Sequence, residues 1–128
     1  MPSQGGTLVG APLAGQRVLI VDDVITAGTA VREAVAIITA AGATLAGVVV
    51  ALDRQERTGP GASAAEDEAA SPSSAVQAVE AEFGVPVVAI VGLSHLIAFA
   101  AQRGGSAPPV VSDEQLTAMT CYRDEYGI

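Results

Sequence analysis

An uninterrupted apolar run, residues 18–21, followed directly by two adjacent acids, constrains the fold of this chain more than any other feature. Four aliphatic residues without a polar interruption are typical of a strand that is buried on both faces of a parallel sheet. Asp22 and Asp23 follow at the carboxyl end of that strand, where open α/β sheets bind ligands. Residues 26–29, with the sequence TAGT, then lead into a predicted helix. The pattern therefore predicts a ligand site between a strand and a helix.

The chemistry of the TAGT turn favours a phosphate. A helix begins with backbone N–H groups that have no partner within the helix and with a partial positive charge, so it stabilises a phosphate dianion without a lysine. Gly28 permits a close approach of the backbone, and the hydroxyls of Thr26 and Thr29 can bind phosphate oxygens or cap the helix. The two upstream carboxylates repel a bare phosphate, so we expect them to address sugar hydroxyls or a bound Mg²⁺ of the same ligand. The stretch predicts a sugar-phosphate site.

The remaining periodicity predicts one α/β domain. Apolar residues at helical spacing over residues 29–41, followed by the apolar run 43–52, predict a β–α–β unit with parallel strands. A third parallel strand is predicted at 85–91, and further helices at 75–83, 93–102 and 113–122. Residues 58–74 are small, acidic and turn-forming, which predicts a mobile surface insertion.

Composition excludes several kinds of function. The net charge of −8 argues against nucleic acid as a partner, since affinity for nucleic acid rests on Lys and Arg, and all six basic residues are Arg. No apolar span is long enough to cross a membrane, so a membrane partner is not expected. The single cysteine, Cys121, cannot form an internal disulfide, which favours a reducing cytoplasm.

The sequence VLIVDD also opens the receiver domains of bacterial response regulators, in which an acidic pair binds Mg²⁺ and a later aspartate accepts a phosphoryl group. Asp53 is the residue that this alternative requires as the acceptor. The receiver pattern also needs a lysine at a strand end, and this chain contains no lysine. We therefore favour the sugar-phosphate interpretation.

The sequence DDVITAGTA after an apolar strand resembles the phosphoribosyl pyrophosphate signature of type I phosphoribosyltransferases. Together with GGTLVG before it and LDRQER after it, at residues 5–10 and 52–57, the match is similar to the orotate phosphoribosyltransferase family in particular. The resemblance implies a Rossmann-like parallel sheet of the type I phosphoribosyltransferase fold. It also implies the family's reaction, which joins orotate to phosphoribosyl pyrophosphate with Mg²⁺ and yields orotidine 5′-monophosphate and pyrophosphate for pyrimidine (UMP) synthesis.

The resemblance also implies which residues bind each substrate. Thr26 and Arg54 are expected to contact orotate, and a planar guanidinium suits the carboxylate or cyclic imide of that base. No catalytic residue is assigned, and the metal ligands stay unassigned. The residues expected to bind phosphoribosyl pyrophosphate are Asp22, Asp23, Val24, Ile25, Thr26, Ala27, Gly28, Thr29 and Ala30.

The resemblance begins after the family's flexible, lysine-rich catalytic loop, so the expected fold is truncated at its N-terminal side. Residues 1–128 are expected to form a single partial phosphoribosyltransferase domain: a fragment, the product of a misplaced gene start, or half of a split enzyme. The expected partner is a second copy in a homodimer or a complementing N-terminal half. Two functions stay open, an orotate phosphoribosyltransferase that is incomplete for catalysis alone, and a non-catalytic phosphoribosyl- or nucleotide-binding remnant or regulatory domain.

Overall fold

The computed structural model describes residues 8–58, 73–102 and 108–128. Within these ranges the chain alternates strands and helices, as the apolar periodicity predicts. The elements in chain order are β1 (Arg17–Val24), α1 (Thr29–Ala40), β2 (Thr44–Asp53), β3 (Arg57–Thr58), β4 (Ser73–Ser74), α2 (Ala75–Phe83), β5 (Val87–Gly92), α3 (Leu93–Ala100) and α4 (Asp113–Tyr126).

Strand β2 is the centre of a three-stranded parallel sheet with the order β1-β2-β5. The register places Val24 of β1 beside Leu52 of β2, and Leu52 beside Val91 of β5. All three strands therefore end at the same edge of the sheet. This arrangement confirms the predicted β–α–β unit and the parallel α/β fold class, and it brings the segments that follow the three strands together.

The core lies on one face of the sheet, under α1 and α2. Val48 and Val50 of β2 are almost completely buried, and they pack with Val31 of α1 and Val79 of α2 in one apolar cluster. Burying side chains of this size contributes about 1.5–3 kcal/mol each to folding. Helices α1 and α2 are therefore held to the sheet mainly by β-branched side chains.

The opposite face of the sheet, which we call the open face, is apolar and exposed. Leu19 and Val21 of β1 are 53% and 76% exposed, and Val88 and Ile90 of β5 are 55% and 73% exposed. Val49 of β2 lies between Val21 and Val88 in the register. The prediction that residues 18–21 are buried on both faces is therefore wrong for the described part of the chain, because helices cover only one face there.

The ends of the predicted insertion pair with each other. Strand β3 is antiparallel to β4, with Arg57 opposite Ser74 and Thr58 opposite Ser73, and the Thr58 hydroxyl donates to the Ser73 carbonyl at 2.9 Å. The residues between these strands, 59–72, lie outside the described ranges. This short ladder joins residues 57–58 to residues 73–74, directly before the start of α2.

The helix boundaries agree closely with the sequence pattern, with one extension. Helix α2 has the predicted bounds, whereas α4 continues four residues beyond the predicted end at Tyr122. Helix α4 buries none of its residues. Among the described residues no helix is long and apolar enough to span a membrane.

We expect Ser74→Ala to lower the free energy of unfolding by about 1–2 kcal/mol, because its hydroxyl accepts from the Gln77 backbone N–H at 3.2 Å and caps α2 from a buried position. Urea denaturation measures this change. Ser112→Ala is the matched control, since Ser112 caps the exposed α4 with the same geometry. An equal loss in both variants would contradict a core position for the α2 cap.

Candidate functional site

The turn between β1 and α1 is anchored by one apolar side chain. Ile25 is only 6% exposed and packs in the core with Val31, whereas Thr26 and Ala27 are exposed. Burial of Ile25 therefore fixes the turn to the core and leaves the next two residues facing solvent. The sequence alternation of apolar and small polar residues here has this packing as its physical basis.

Gly28 is the N-cap of α1 and has a left-handed backbone, with φ 77°. A β-carbon at this position would lie 3.1 Å from Val79 Cγ2 and 3.3 Å from Arg32 Nη1. Both the backbone angle and the close packing therefore require glycine. No side chain caps α1, and its first turn contains no acidic residue, so the initial N–H groups of the helix keep their capacity to bind an anion.

A cavity of about 310 Å³ lies beside this turn. Its wall includes Asp22 of β1, the start of α1, and the hydroxyl-bearing residues Thr26 and Thr29. The predicted phosphoribosyl pyrophosphate residues that line it are Asp22, Val24, Ile25, Thr26, Gly28, Thr29 and Ala30. Ala27 instead lines a neighbouring cavity, and Asp23 lines neither. Most of the predicted residues are thus brought together around a space of ligand size, whose wall also includes Glu33 of α1.

The two adjacent acids lie on opposite faces of the sheet, because β1 extends through Val24 and successive strand residues alternate. Asp22 is on the face of its register partner Val50, which is fully buried, whereas Asp23 is on the open face. The carboxylates are held locally: the Asp23 N–H donates to Asp22 Oδ1 at 2.9 Å, and the Val24 N–H donates to Asp23 Oδ1 at 2.7 Å. Of these two acids, Asp22 lines the 310 Å³ cavity and Asp23 does not.

Arg32 holds the turn through a hydrogen bond to its backbone, a role that no sequence pattern predicted. Its Nη1 donates to the Ala27 carbonyl at 2.8 Å, and its Nη2 forms an ion pair with Glu82 of α2 at 2.8 Å. The hydrogen bond and charge of Glu82 raise the pKa of Arg32, and Arg32 in turn lowers the pKa of Glu82. One arginine thus connects the turn to α2.

Thr26 and Arg54, the two residues predicted to contact orotate, line one cavity of about 80 Å³. Arg54 follows β2 directly, so the parallel register of β1 and β2 places it next to the TAGT turn. Thr26 also lines the 310 Å³ cavity beside Asp22. The two predicted subsites are therefore adjacent, with Thr26 common to both.

The Arg54 guanidinium is held by two side chains. Its Nη2 lies 2.7 Å from Glu56 Oε1 and 3.2 Å from the Tyr122 hydroxyl, which itself donates to Glu56 through a short hydrogen bond. The hydrogen bond with Tyr122 and the negative charge of Glu56 raise the pKa of Arg54. Neither partner was predicted from the sequence, and Tyr122 is 68 residues from Arg54 along the chain.

Gln55 fixes the backbone of the segment that carries Arg54. It has φ 54°, a left-handed value that residues other than glycine adopt rarely, and its N–H donates to Asp53 Oδ1 at 2.9 Å. Its side-chain Oε1 accepts from the Ser94 N–H at 2.8 Å, at the start of α3. Gly92 makes room for this side chain, since a β-carbon there would lie 3.2 Å from the Gln55 amide carbon. Sequence patterns did not indicate this arrangement.

The described residues contain no cluster of three or more His, Cys, Asp or Glu side chains able to hold a metal ion. His95 Nδ1 accepts from the Gly92 N–H at 3.0 Å and so caps the start of α3. Cys121 is exposed.

A parallel sheet with a glycine-containing, uncapped helix start at its carboxyl edge is an arrangement in which α/β proteins commonly bind phosphate groups. The sequence profile of the phosphoribosyl transferase domain matches residues 4–67, which is half of the chain. The chain therefore belongs to the phosphoribosyl transferase domain family. This membership rests on the segment that contains β1, α1 and β2, and it removes the receiver-domain alternative.

Several similar proteins carry a more specific name. The orotate phosphoribosyltransferase of Xanthomonas axonopodis pv. citri (strain 306) is 56% identical over 124 residues, or 97% of this chain and 50% of that protein. The orotate phosphoribosyltransferase of Bordetella avium (strain 197N) is 50% identical over 129 residues, which cover 98% of this chain and 51% of that protein. The crystal structure of the orotate phosphoribosyltransferase of Francisella tularensis superposes with a TM-score of 0.68 at 28% identity, covering 94% of this chain and 51% of the other. The chain spans about half the length of these relatives.

We expect Gly28→Ala to destabilise the chain by about 1–2 kcal/mol through its left-handed backbone and by a further increment through the contact with Val79. Denaturant unfolding measures the loss. Gly84→Ala is the matched control, since Gly84 also has a left-handed backbone, φ 63°, but a β-carbon there would meet no atom within 4 Å. A Gly28→Ala loss no larger than that of Gly84→Ala would show that the close packing of the turn is unimportant.

Proposed function

We propose that this chain forms the phosphoribosyl- and orotate-binding half of an orotate phosphoribosyltransferase. Such an enzyme transfers the phosphoribosyl group of phosphoribosyl pyrophosphate to orotate and so makes orotidine 5′-monophosphate and pyrophosphate for de novo pyrimidine synthesis. The observation that carries the proposal is the position of Thr26, which lines both the cavity beside Asp22 and the cavity beside Arg54. A sugar phosphate and a base that join at one carbon need adjacent subsites of this kind. The names of the relatives support orotate as the base.

The 5′-phosphate is proposed to bind at the turn. The N–H groups at the start of α1 supply hydrogen bonds and a positive potential, while Thr26 and Thr29 supply hydroxyls. Gly28 supplies the left-handed backbone of the turn, and the space that a β-carbon would need there is taken by Val79 and Arg32. Val24, Ile25, Ala27 and Ala30 complete the proposed phosphoribosyl pyrophosphate site through backbone groups and shape.

The ribose is proposed to bind at the two carboxylates. Asp22 lines the cavity and is proposed to accept from sugar hydroxyls, while Asp23, on the open face at the end of β1, is proposed to bind the same ligand from outside this cavity. Carboxylate oxygens also suit Mg²⁺, which binds through one or two carboxylates together with substrate phosphates rather than in an all-protein cage. When bound, Mg²⁺ neutralises phosphate charge and stabilises the departing pyrophosphate.

The base is proposed to bind at Arg54, with Thr26 on the other side. The Arg54 side chain is 42% exposed, so it can meet a ligand while Glu56 and Tyr122 hold its guanidinium from the protein side. A positively charged planar group suits the carboxylate of orotate. Arg54 in this position discriminates an acidic pyrimidine from a neutral one.

Catalysis needs positioned cations for the departing pyrophosphate, and the described arginines are engaged or remote. Arg17 lies at the amino end of β1, away from Asp22. The described arginines that already hold a protein partner are Arg32, Arg54, Arg57 and Arg123. Since the chain has no lysine, we propose that turnover requires cations from another polypeptide.

We propose that this polypeptide is a complementing N-terminal half or a second copy in a homodimer. The open face supports a further packed layer, because parallel sheets are ordinarily covered on both faces. Residues 1–128 are proposed to be a single partial domain with an insertion at 58–74. The net charge of −8 supports a protein that binds neither nucleic acid nor membrane, and the single cysteine supports a cytoplasmic location.

A second function rests on the same site. In this alternative the described arginines keep their protein partners when the ligand binds. The chain is then a non-catalytic phosphoribosyl- or nucleotide-binding domain, or a regulatory one. Binding without turnover in the presence of every partner favours this alternative. A binding measurement and a turnover assay together separate the site from the reaction.

We expect Asp22→Asn and Asp23→Asn together to weaken binding of phosphoribosyl pyrophosphate with Mg²⁺. Each lost charge-assisted hydrogen bond removes about 1.5–3 kcal/mol, or roughly 10- to 150-fold in affinity. Titration calorimetry on the single and double variants measures the change. Asp124→Asn is the control, because Asp124 pairs with Arg123 on α4. Unchanged affinity in a folded double variant would rule out the ribose assignment.

We expect the purified chain alone to consume orotate far more slowly than a normal enzyme, because one lost stabilising donor typically lowers the rate about 10²- to 10³-fold. The assay follows orotate absorbance with Mg²⁺ and phosphoribosyl pyrophosphate. It is repeated after adding the N-terminal half of the Xanthomonas axonopodis relative in trans, which should raise the rate. Rapid turnover without that half would contradict the proposed need for external cations.

A further inference from the structure

The end of the chain is attached to the segment that carries Arg54. Gly127 forms an antiparallel bridge with Glu56, and the Ile128 N–H donates to the Gln55 carbonyl at 3.1 Å. Arg57 Nε donates to the Gly127 carbonyl at 2.8 Å. Three consecutive residues after β2 thus contact the last two residues of the chain.

Tyr122 adds a side-chain contact to this attachment. Its hydroxyl accepts from Arg54 Nη2 and donates to Glu56, while Glu56 accepts from the same Nη2, so the three groups form a closed triangle. Both contacts of the guanidinium therefore fall on Nη2. Within the described ranges, Nε and Nη1 of Arg54 have no hydrogen-bond partner.

Packing in the core does not explain the position of Tyr122, because α4 contributes little to the core. The helix buries none of its residues, and its element contacts are chiefly with α3. Tyr122 is 39% exposed, and its ring packs on that of Tyr126 with centroids 4.8 Å apart. The hydroxyl of Tyr122 therefore has its only described partners in Arg54 and Glu56.

We propose that Tyr122, acting with Glu56, is a positioning residue that holds the Arg54 guanidinium in the orientation that receives the acidic base. The proposal rests on the proposed function, in which Arg54 meets orotate. A long, half-exposed arginine samples many rotamers, and fixing one of them before the ligand arrives lowers the entropy lost on binding. A tyrosine hydroxyl suits this task because it both accepts from the guanidinium and donates to the carboxylate.

The Tyr122 hydroxyl also reduces the competition between Glu56 and an anionic ligand for the Arg54 guanidinium. Glu56 alone would hold Arg54 by charge and oppose an anionic base at the same group. By donating to Glu56, Tyr122 takes up part of the carboxylate's hydrogen-bonding capacity. The Nε and Nη1 groups of Arg54 then remain for the base.

The test compares two probes that share the sugar phosphate and differ in the base, orotidine 5′-monophosphate and ribose 5-phosphate. For Tyr122→Phe we expect about tenfold weaker binding of orotidine 5′-monophosphate, as for the loss of one hydrogen bond to a charged group, and unchanged binding of ribose 5-phosphate. Tyr126→Phe is the matched control, because Tyr126 makes no described contact with Arg54. Equal weakening of both probes, or none in Tyr122→Phe, would overturn the proposal.

A double-variant comparison separates this proposal from the proposed function. If Tyr122 acts through Arg54, then Tyr122→Phe has no further effect on orotidine 5′-monophosphate affinity in an Arg54→Ala background. If Arg54→Ala alone leaves that affinity unchanged, the assignment of the base to Arg54 fails instead. ¹⁵N relaxation of Arg54 Nε in the ligand-free chain gives a readout that needs no binding: Tyr122→Phe should lower its order, and an unchanged order would overturn the positioning role.

Discussion

The parallel pairing of β2 with both β1 and β5 is the constraint on which the rest of the structure depends. This pairing sets Val24, Leu52 and Val91 side by side, so the segments that follow the three strands emerge at one edge. The TAGT turn, the Arg54 segment and the start of α3 are neighbours for this reason alone. A shift of one residue in this register would move every side chain on the affected strand to the other face of the sheet. It would therefore disrupt both the core and the site.

Different contacts hold the site along its length. On the phosphate side, burial of Ile25 and the tight packing of Gly28 against Val79 fix the backbone. On the base side there is little burial, and polar contacts replace it: Gln55 to the start of α3, and Tyr122 to Arg54. Apolar packing thus holds the TAGT turn, whereas hydrogen bonds between distant segments hold the Arg54 segment.

The open face explains why a family member that spans half the length of its relatives can have a well-formed site. Core packing under α1 and α2 needs only one side of the sheet, so Val48 and Val50 are buried while Val21 and Ile90 remain exposed. The TAGT turn packs through Ile25 and Gly28 on the covered side, within this chain. A further layer on the open face is therefore not needed for the turn to form.

Sequence by itself determined the parallel α/β class, most element boundaries and most of the residues around the phosphate cavity. These features are local: apolar periodicity, the small-residue turn and the acids after β1 all lie within a few residues of one another, and a known family shares the same stretch. Sequence also predicted that Thr26 and Arg54 act together, but only through resemblance. Only the tertiary structure decided that Asp22 and Asp23 face opposite sides, that β1 is covered on one face, and that Arg32 and Tyr122 support the site. Those outcomes depend on strand extension and on contacts between residues far apart in the chain, which no local pattern specifies.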